Sequence, residues 1–374
     1  MMEVDVMSRT LRVQAGAVTE AVHKHCEPHG LTWPVDFGSK GSSHIGGNIA
    51  TNAGGVRVIR YGLTRNWVLG LQVVTPTGEI LELNGALEKN NTGLDLRQLF
   101  IGTEGTLGVV TEATLKLTQP PRDVDVFLFA LDSIQSVLKF FESVRKEHFS
   151  VMAFECMDKK CMNAVVDTLG LKHPLAEIPA FSVLLEIERP EREDAQTLLT
   201  EWLEDLFEKG LVLDGTKAES PAQAREIWKL RESITESLSR RSQVHKHDIA
   251  LPIAGLNAFL KDFNEETDIG AVPGAAGIEV FVFGHIGDGN LHVNFTKPAA
   301  MEKAVFLKIC KQLDEKMFKL IKKHGGSVSA EHGIGLLKKH LLTYSRTTEE
   351  IAHLKAIKKH FDPNGILNPG KIFD

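Results

Sequence analysis

The sequence predicts an α+β protein built as two domains. Its 374 residues are enough for about two cores. The first third is cut by glycines into short β-type runs: Gly38, Gly41, Gly46, Gly47, Gly54, Gly55, Gly62, Gly102, Gly105 and Gly108. Beyond Pro120-Pro121 the pattern alternates strand, helix, strand, helix, which predicts an antiparallel sheet backed by helices.

The elements follow in order. Val4 and Val6 alternate with acids, and Leu11 and Val13 with polar residues, so the chain reads as opening inside a β-rich domain whose first part is missing. A helix is expected over 18–26. VLGLQVVTP and TGEILEL read as two strands turning at Thr77-Gly78, and 108–117 as a further strand. Gln119-Pro120-Pro121-Arg122 marks a boundary, giving a domain over 1–120. Strands are expected at 124–132 and 181–188, each followed by a helix, the second ending on Gly210. Helical stretches follow at 222–240, 301–324 and 348–361, and the turn Asp362-Pro363-Asn364-Gly365 comes near the end.

Composition narrows the function classes. Hydrophobic residues are 43% and charged residues 25%, with a net charge of -6 and no basic stripe, which argues against nucleic acid. No apolar run reaches the roughly 18 residues of a transmembrane segment. The four cysteines form no CxxC pair, as expected for a reducing compartment or a protein without structural disulfides. The N-terminus is neither a secretory signal nor an Arg/Ser-rich transit peptide.

The strongest chemical signal is FVFGHIGDGNLHVNF at 281–295. Asp288-Gly289 is a favoured two-residue hairpin turn. That register sets His285 opposite His292, with Phe283 and Asn294 as the next pair on the same face. Directly opposed imidazoles can grip one metal ion. Two histidines on a hairpin surface are the bland alternative. SVSAEHGIG then supplies Glu331 beside His332. One carboxylate with two imidazoles makes a catalytic set with an open position, for zinc or manganese, and His332 becomes the candidate base. An ordinary loop-end Glu-His is the alternative there. Arg231 and Thr235 stand at i, i+4 and would share a helix face able to hold a carboxylate, with Lys246 as a second positive point. In isolation, an Arg-x-x-x-Thr pattern reads far better as a solvated basic helix face. The glycine-rich stretches HIGGNIATNAGG and FIGTEGTLGVVT match neither a Rossmann fingerprint nor a phosphate loop.

The chain resembles the flavoprotein family of vanillyl-alcohol oxidase type, in its D-2-hydroxyglutarate/D-lactate dehydrogenase branch. The motifs are VDFGSKGSSHIGGNIATNAGGVRVIRYG, LFIGTEGTLGVVTE, GHIGDGNLHVN, SAEHGIG and DPNGILNPGK, in the family's order along essentially the entire chain. The resemblance implies a partial PCMH-type FAD-binding domain over 1–120, a substrate-capping domain over 121–330, and a segment 331–374 returning to the flavin domain. It implies FAD contacts from Pro34, Gly38, Ser39, Gly47, Asn48, Thr51, Asn52, Gly54, Gly55, Tyr61, Gly62, Glu104, Gly108, Val109 and Asn368. It implies metal ligation by His285, His292 and Glu331, substrate contacts from Asn294, Arg231, Thr235 and Lys246, and His332 as base. The reaction implied is hydride transfer from a D-2-hydroxy acid to flavin, with D-2-hydroxyglutarate the first choice and D-lactate or glycolate the alternative. A protein or quinone would accept the electrons. A homodimer is one assembly to expect, in the cytoplasm of bacteria or the mitochondria of eukaryotes. The family's pyrophosphate-cradling glycine loop is not found in this chain, so an inactive truncated chain or a metal-binding partner subunit is the third reading.

Overall fold

A computed structural model describes residues 2–267 and 269–373. The chain forms two compact units, Met1–Pro120 with Glu331–Asp374, and Pro121–Ala330.

The first unit opens with strands β1 (Met2–Asp5) and β2 (Thr10–Gln14) and helix α1 (Thr19–Cys26). Three short helices, α2 (Ile45–Thr51), α3 (Val58–Tyr61) and α4 (Arg97–Phe100), sit among β3 (Val68–Val74), β4 (Ile80–Leu83) and β5 (Val109–Lys116). The strands pair antiparallel in the order β1-β2-β5-β3-β4. Alternation in β2 and β5 turns Leu11, Val13, Ala113 and Leu115 inward, where they meet Trp33, Ile45, Ile49 and Phe100 in one core. Gly78 takes the left-handed conformation at the β3–β4 turn, φ 86°.

The second unit contains β6 (Val124–Leu131), α5 (Ile134–Val144), β7 (Ser150–Asp158), α6 (Lys159–Leu169), β8 (Phe181–Glu188), α7 (Ala195–Glu208) and β9 (Asp214–Lys217). It continues through α8 (Pro221–Glu232), α9 (Ile234–Arg241), β10 (Val244–Ala250), α10 (Leu256–Glu266), β11 (Glu279–His285), β12 (Asn290–Thr296) and α11 (Lys303–Lys323). Its strands form an antiparallel sheet in the order β10-β12-β11-β7-β8-β6-β9. Helices cover both faces. On one, Val126, Leu128, Leu184, Met157 and Phe283 pack with α6, α8 and α9. On the other, the rings of Phe129 and Phe154 pack against Phe140 of α5, and Phe127 against Trp202 of α7.

After the second unit the chain returns to the first with α12 (Leu342–Ser345) and α13 (Thr348–Phe361). Thr347 and Glu350 close a reciprocal N-cap on α13, and Phe361 packs edge-on against Phe100 at 5.2 Å. The motif DPNGILNPGK is structural here. Asp362, 3% exposed, accepts the N–H groups of Ile366 (3.0 Å) and Leu367 (2.8 Å) and pairs with Lys358.

The structure corrects the predicted helix over 222–240. It breaks at Ser233, whose backbone sits at φ -82°, ψ -5°, leaving α8 and α9 as separate helices. Serine competes for backbone hydrogen bonds and is a poor helix interior. All four cysteines are buried and unpaired. No described helix is long and apolar enough to cross a membrane.

Phe140 is fully buried between two further Phe rings and stacks on Trp202. Phe140→Ala should therefore cost about 3–5 kcal/mol. Urea denaturation of the variant beside the parent chain checks this, and a loss under about 1 kcal/mol would contradict the packing described.

Candidate active site

The histidine hairpin is built differently from its predicted register. Ile286–Asp288 form a single 3-10 turn, closed by Gly289 at φ 82°. The four-residue loop moves the pairing by two positions, so Phe283, not His285, faces His292, and Phe281 faces Asn294. A shift of two keeps every side chain on its face, whereas a shift of one would not. His285 and His292 therefore still meet, with ring centroids 5.5 Å apart at 78° and a nitrogen of each within 4.8 Å.

His285 instead faces Glu155 of β7 across the sheet. Glu155 is 0% exposed, and its carboxylate is shared: Oε1 lies 2.5 Å from His285 Nδ1 and Oε2 2.7 Å from Arg231 Nε. Burial works against its charge, but His285 and Arg231 outweigh burial and hold the carboxyl down at about 2. An ionised carboxylate only accepts, so His285 donates from Nδ1, and loss of the ring's other proton would leave Nε2 free for a metal. His292 is pushed down to about 3, first by burial and then by the charges of Arg231 and His285, so its ring is neutral. Asp248, which pairs with it across β10 and β12, places Oδ1 3.8 Å from its Nδ1. Asp248 also accepts from Asn290 Nδ2 (2.8 Å) and from the N–H of Ala330 (3.2 Å), the residue just before Glu331.

The substrate candidates divide. Arg231 is 8% exposed and lies over Phe283, 4.9 Å from the ring centroid. Thr235 lies beyond the Ser233 break and is exposed, so the two do not share one continuous helix face. Lys246 pairs with Asn294 on the sheet face that carries His292, and its Nζ reaches Ser239 Oγ at 3.3 Å. Ser239 in turn donates to the carbonyl of Thr235 at 2.8 Å. Asn294 is 2% exposed. Glu155, Asp248 and Ser239 escaped the sequence reading. A lone Glu inside the buried run MAFECM was the one available signal.

The flavin candidates of the first unit form two groups. Gly38, Ser39, Gly47, Thr51 and Val109 are exposed, and a Cβ at Gly38 or Gly47 would meet nothing within 4 Å. Backbone there is open to close approach by a cofactor. Tyr61, Gly54 and Gly62 are half-buried beside them, and Pro34 is buried. The rest also make contacts within the unit. Asn48 donates to Thr19 Oγ1 (2.7 Å), and the Oδ1 of Asn52 accepts the N–H of Arg65 (3.0 Å). Gly55 leaves only 2.0 Å between a would-be Cβ and the Asp36 carbonyl, and the space beside Gly108 is filled by Val73 and Phe100. Glu104 accepts the N–H groups of Ile334 (2.6 Å) and Gly335 (2.7 Å), while its carbonyl accepts from Asn368 Nδ2 at 2.5 Å. His332 is exposed and Glu331 half-buried.

Both lowered pKa values make the protein acid-sensitive. The unfolded chain takes a proton on His292 below its usual 6.5, while the fold keeps that ring neutral to about 3. Likewise Glu155 stabilises the fold above its usual 4.5, and that stability is lost as pH falls toward 2. Urea denaturation of chelator-treated protein should show stability falling from pH 6.5 downward and more steeply below 4.5. Glu155→Gln should cost about 3–5 kcal/mol at neutral pH and remove the steeper limb. Equal acid slopes in both proteins would contradict the charge assigned to Glu155.

Comparison with known proteins places the chain in a family. A family described as "FAD linked oxidases, C-terminal domain" matches residues 120–372, and one described as "FAD binding domain" matches 1–84. D-2-hydroxyglutarate dehydrogenase of Stutzerimonas stutzeri is 45% identical over 377 residues, covering 100% of this chain and 79% of that protein. The mitochondrial D-2-hydroxyglutarate dehydrogenase of Danio rerio is 38% identical, covering 98% of this chain and 67% of its own. The solved structure of 4-ethylphenol oxidase from Gulosibacter chungangensis shares the fold, with TM-score 0.71 at 16% identity, covering 99% of this chain and 77% of that one. Two matched domains and such identity over the full chain assign it to the FAD-linked oxidase family of flavin-dependent oxidoreductases, alongside the D-2-hydroxyglutarate dehydrogenases.

Proposed function

We propose that the chain oxidises a D-2-hydroxy acid, D-2-hydroxyglutarate foremost, to the 2-oxo acid, using FAD and a divalent cation held by His285, His292 and Glu331. One observation carries the proposal. A pair of imidazoles, His285 buried and anchored at Nδ1 by Glu155, His292 half-buried and neutral, shares a sheet face with Lys246 and Asn294 and lies beside Arg231. The donor set fits a cation. Two neutral imidazoles and a carboxylate are the ligands of open catalytic sites for zinc or manganese. Glu331 follows Ala330, whose N–H is tied to Asp248. The open backbone at Gly38 and Gly47 fits a flavin.

When bound, FAD supplies a two-electron acceptor for the C2 hydride and the cation supplies Lewis acidity to the α-hydroxyl. The residues of the chain do the rest. His332, next to the Glu331 ligand, takes the hydroxyl proton. Arg231 and Lys246 hold the distal carboxylate, Arg231 with a guanidinium plane already set by Glu155 and Lys246 steadied by Ser239. Asn294, buried between Lys246 and Phe281, contacts the substrate from the sheet. Asp248 and Glu155 position the two imidazoles, and the aromatic wall of Phe283 and Phe281 limits water.

Protein reconstituted with FAD and zinc or manganese should oxidise D-2-hydroxyglutarate in the presence of a dye acceptor and lose that activity to chelator. His332→Ala should lower kcat roughly 10²–10⁴-fold. Lys246→Ala should raise KM for D-2-hydroxyglutarate roughly tenfold or more, leaving D-lactate unaffected. If Lys246→Ala leaves KM unchanged, a shorter acid such as D-lactate or glycolate is the substrate. A rate preserved in His332→Ala removes that residue as base, and failure to bind FAD at all sinks the enzymatic reading.

A further inference from the structure

Strand β10 carries a second histidine cluster on its reverse face. His245 and His247 stand at i, i+2, so both rings lie on the side opposite Lys246, with centroids 4.6 Å apart. Both converge on Asp314 of α11. His245 Nε2 lies 2.9 Å from Oδ2, and His247 Nε2 lies 2.7 Å from Oδ1. One ligand atom from each of the three lies within 4.8 Å of the others. Phe295 and Phe318 wall the cluster, the latter 5.5 Å from the His247 ring. His247 is 7% exposed, while the His245 side chain is 27% exposed and faces the open side.

We infer that His245, His247 and Asp314 form a second divalent-cation site, with zinc the favoured ion. His-x-His on a strand is a chelate whose bite is set by the strand's own period, and a carboxylate completes an N₂O set suited to zinc. Tetrahedral ligands at about 2.0–2.1 Å stand about 3.3 Å from one another. The present nitrogen–oxygen separations of 2.7 and 2.9 Å need to widen by only a few tenths of an ångström. A cation between them replaces the N–H bridges to the carboxylate, and the exposed side at His245 leaves a fourth position for water. The phenyl walls lower the local dielectric, which strengthens the ion's attraction to Asp314. The ion would clamp β10 to α11 behind the strand that presents Lys246. The cluster shares no residue with His285 and His292 and stands whether or not that site holds a metal.

The test is a metal count on the full chain. Protein stripped by chelator is equilibrated with zinc, and bound metal per chain is measured by elemental analysis. The parent should bind two zinc ions, His285→Ala/His292→Ala one, His245→Asn/Asp314→Asn one, and the four combined none. A His245→Asn/Asp314→Asn variant binding as many ions as the parent overturns the inference. So does a His285→Ala/His292→Ala variant binding none. One ion that survives His285→Ala/His292→Ala but not His245→Asn/Asp314→Asn upholds this site and sinks the other. Should the double Asn variant not fold, the half-exposed His245→Asn alone, in the His285→Ala/His292→Ala background, should weaken zinc binding at least tenfold. Unchanged affinity there overturns the site.

Discussion

The second unit is organised around one buried carboxylate. Glu155 has no exposed surface, so its charge is tolerable only because Arg231 and His285 answer it from two other elements. Three consequences follow from the one group. The carboxylate anchors Nδ1 of His285 and the plane of Arg231, and it adds to the field around His292. Arg231, thus placed, lies over Phe283, the residue that faces His292 across the sheet. Removing either partner would leave an unanswered charge in an apolar layer, a far larger cost than losing a surface ion pair.

Glu104 plays the corresponding part in the first unit, by a different route. Its own backbone is left-handed at φ 53°, and its N–H is tied to the Ala50 carbonyl at 2.7 Å. The side chain so presented caps two successive N–H groups of the returning segment, at Ile334 and Gly335. Gly333 must lack a side chain because a Cβ there would stand 2.5 Å from a Glu104 oxygen. SAEHGIG and GTEGTLG are therefore complementary halves of one contact, which explains why glycines crowd both.

The architecture was largely legible in the sequence because period-2 and period-3.6 patterns report burial, and burial is most of what fixes an element. The strands at 124–131 and 181–188 and the helix over 348–361 follow from this. The Ser233 break did not, since apolar spacing runs through it in phase. The hairpin register failed for a different reason. Asp288-Gly289 is a good two-residue turn by composition, but whether Ile286 and Gly287 join the ladder or the loop depends on tertiary packing, with Ile286 fully buried and Gly289 set against the Leu251 carbonyl. The histidine pair survived the error because parity, not register, decides the face. Glu155 and Asp248 were invisible as partners because they come from strands about 130 and 40 residues away from the histidines they support, and pairing at such range is not written in local pattern.

Strand β10 shows how far that parity reaches. Along Val244–Ala250, Lys246 and Asp248 turn to one face and His245 and His247 to the other. The first pair stands with Asn294 and His292, opposite which they pair, and the second pair is held by Asp314 and two phenyl rings. Among the described residues, β10 is paired along its length with β12 alone, while Ser327 and Ala330 tie its other edge at Ala250 and Asp248. The Asp314 contact adds a hold from behind, through a helix, and it does so at the two residues that flank Lys246. Anything that tightens that contact limits where the Lys246 backbone can go. An edge strand, whose outer rim is tied at Asp248 and Ala250, thereby becomes a platform stiff enough to present a cation at a defined point.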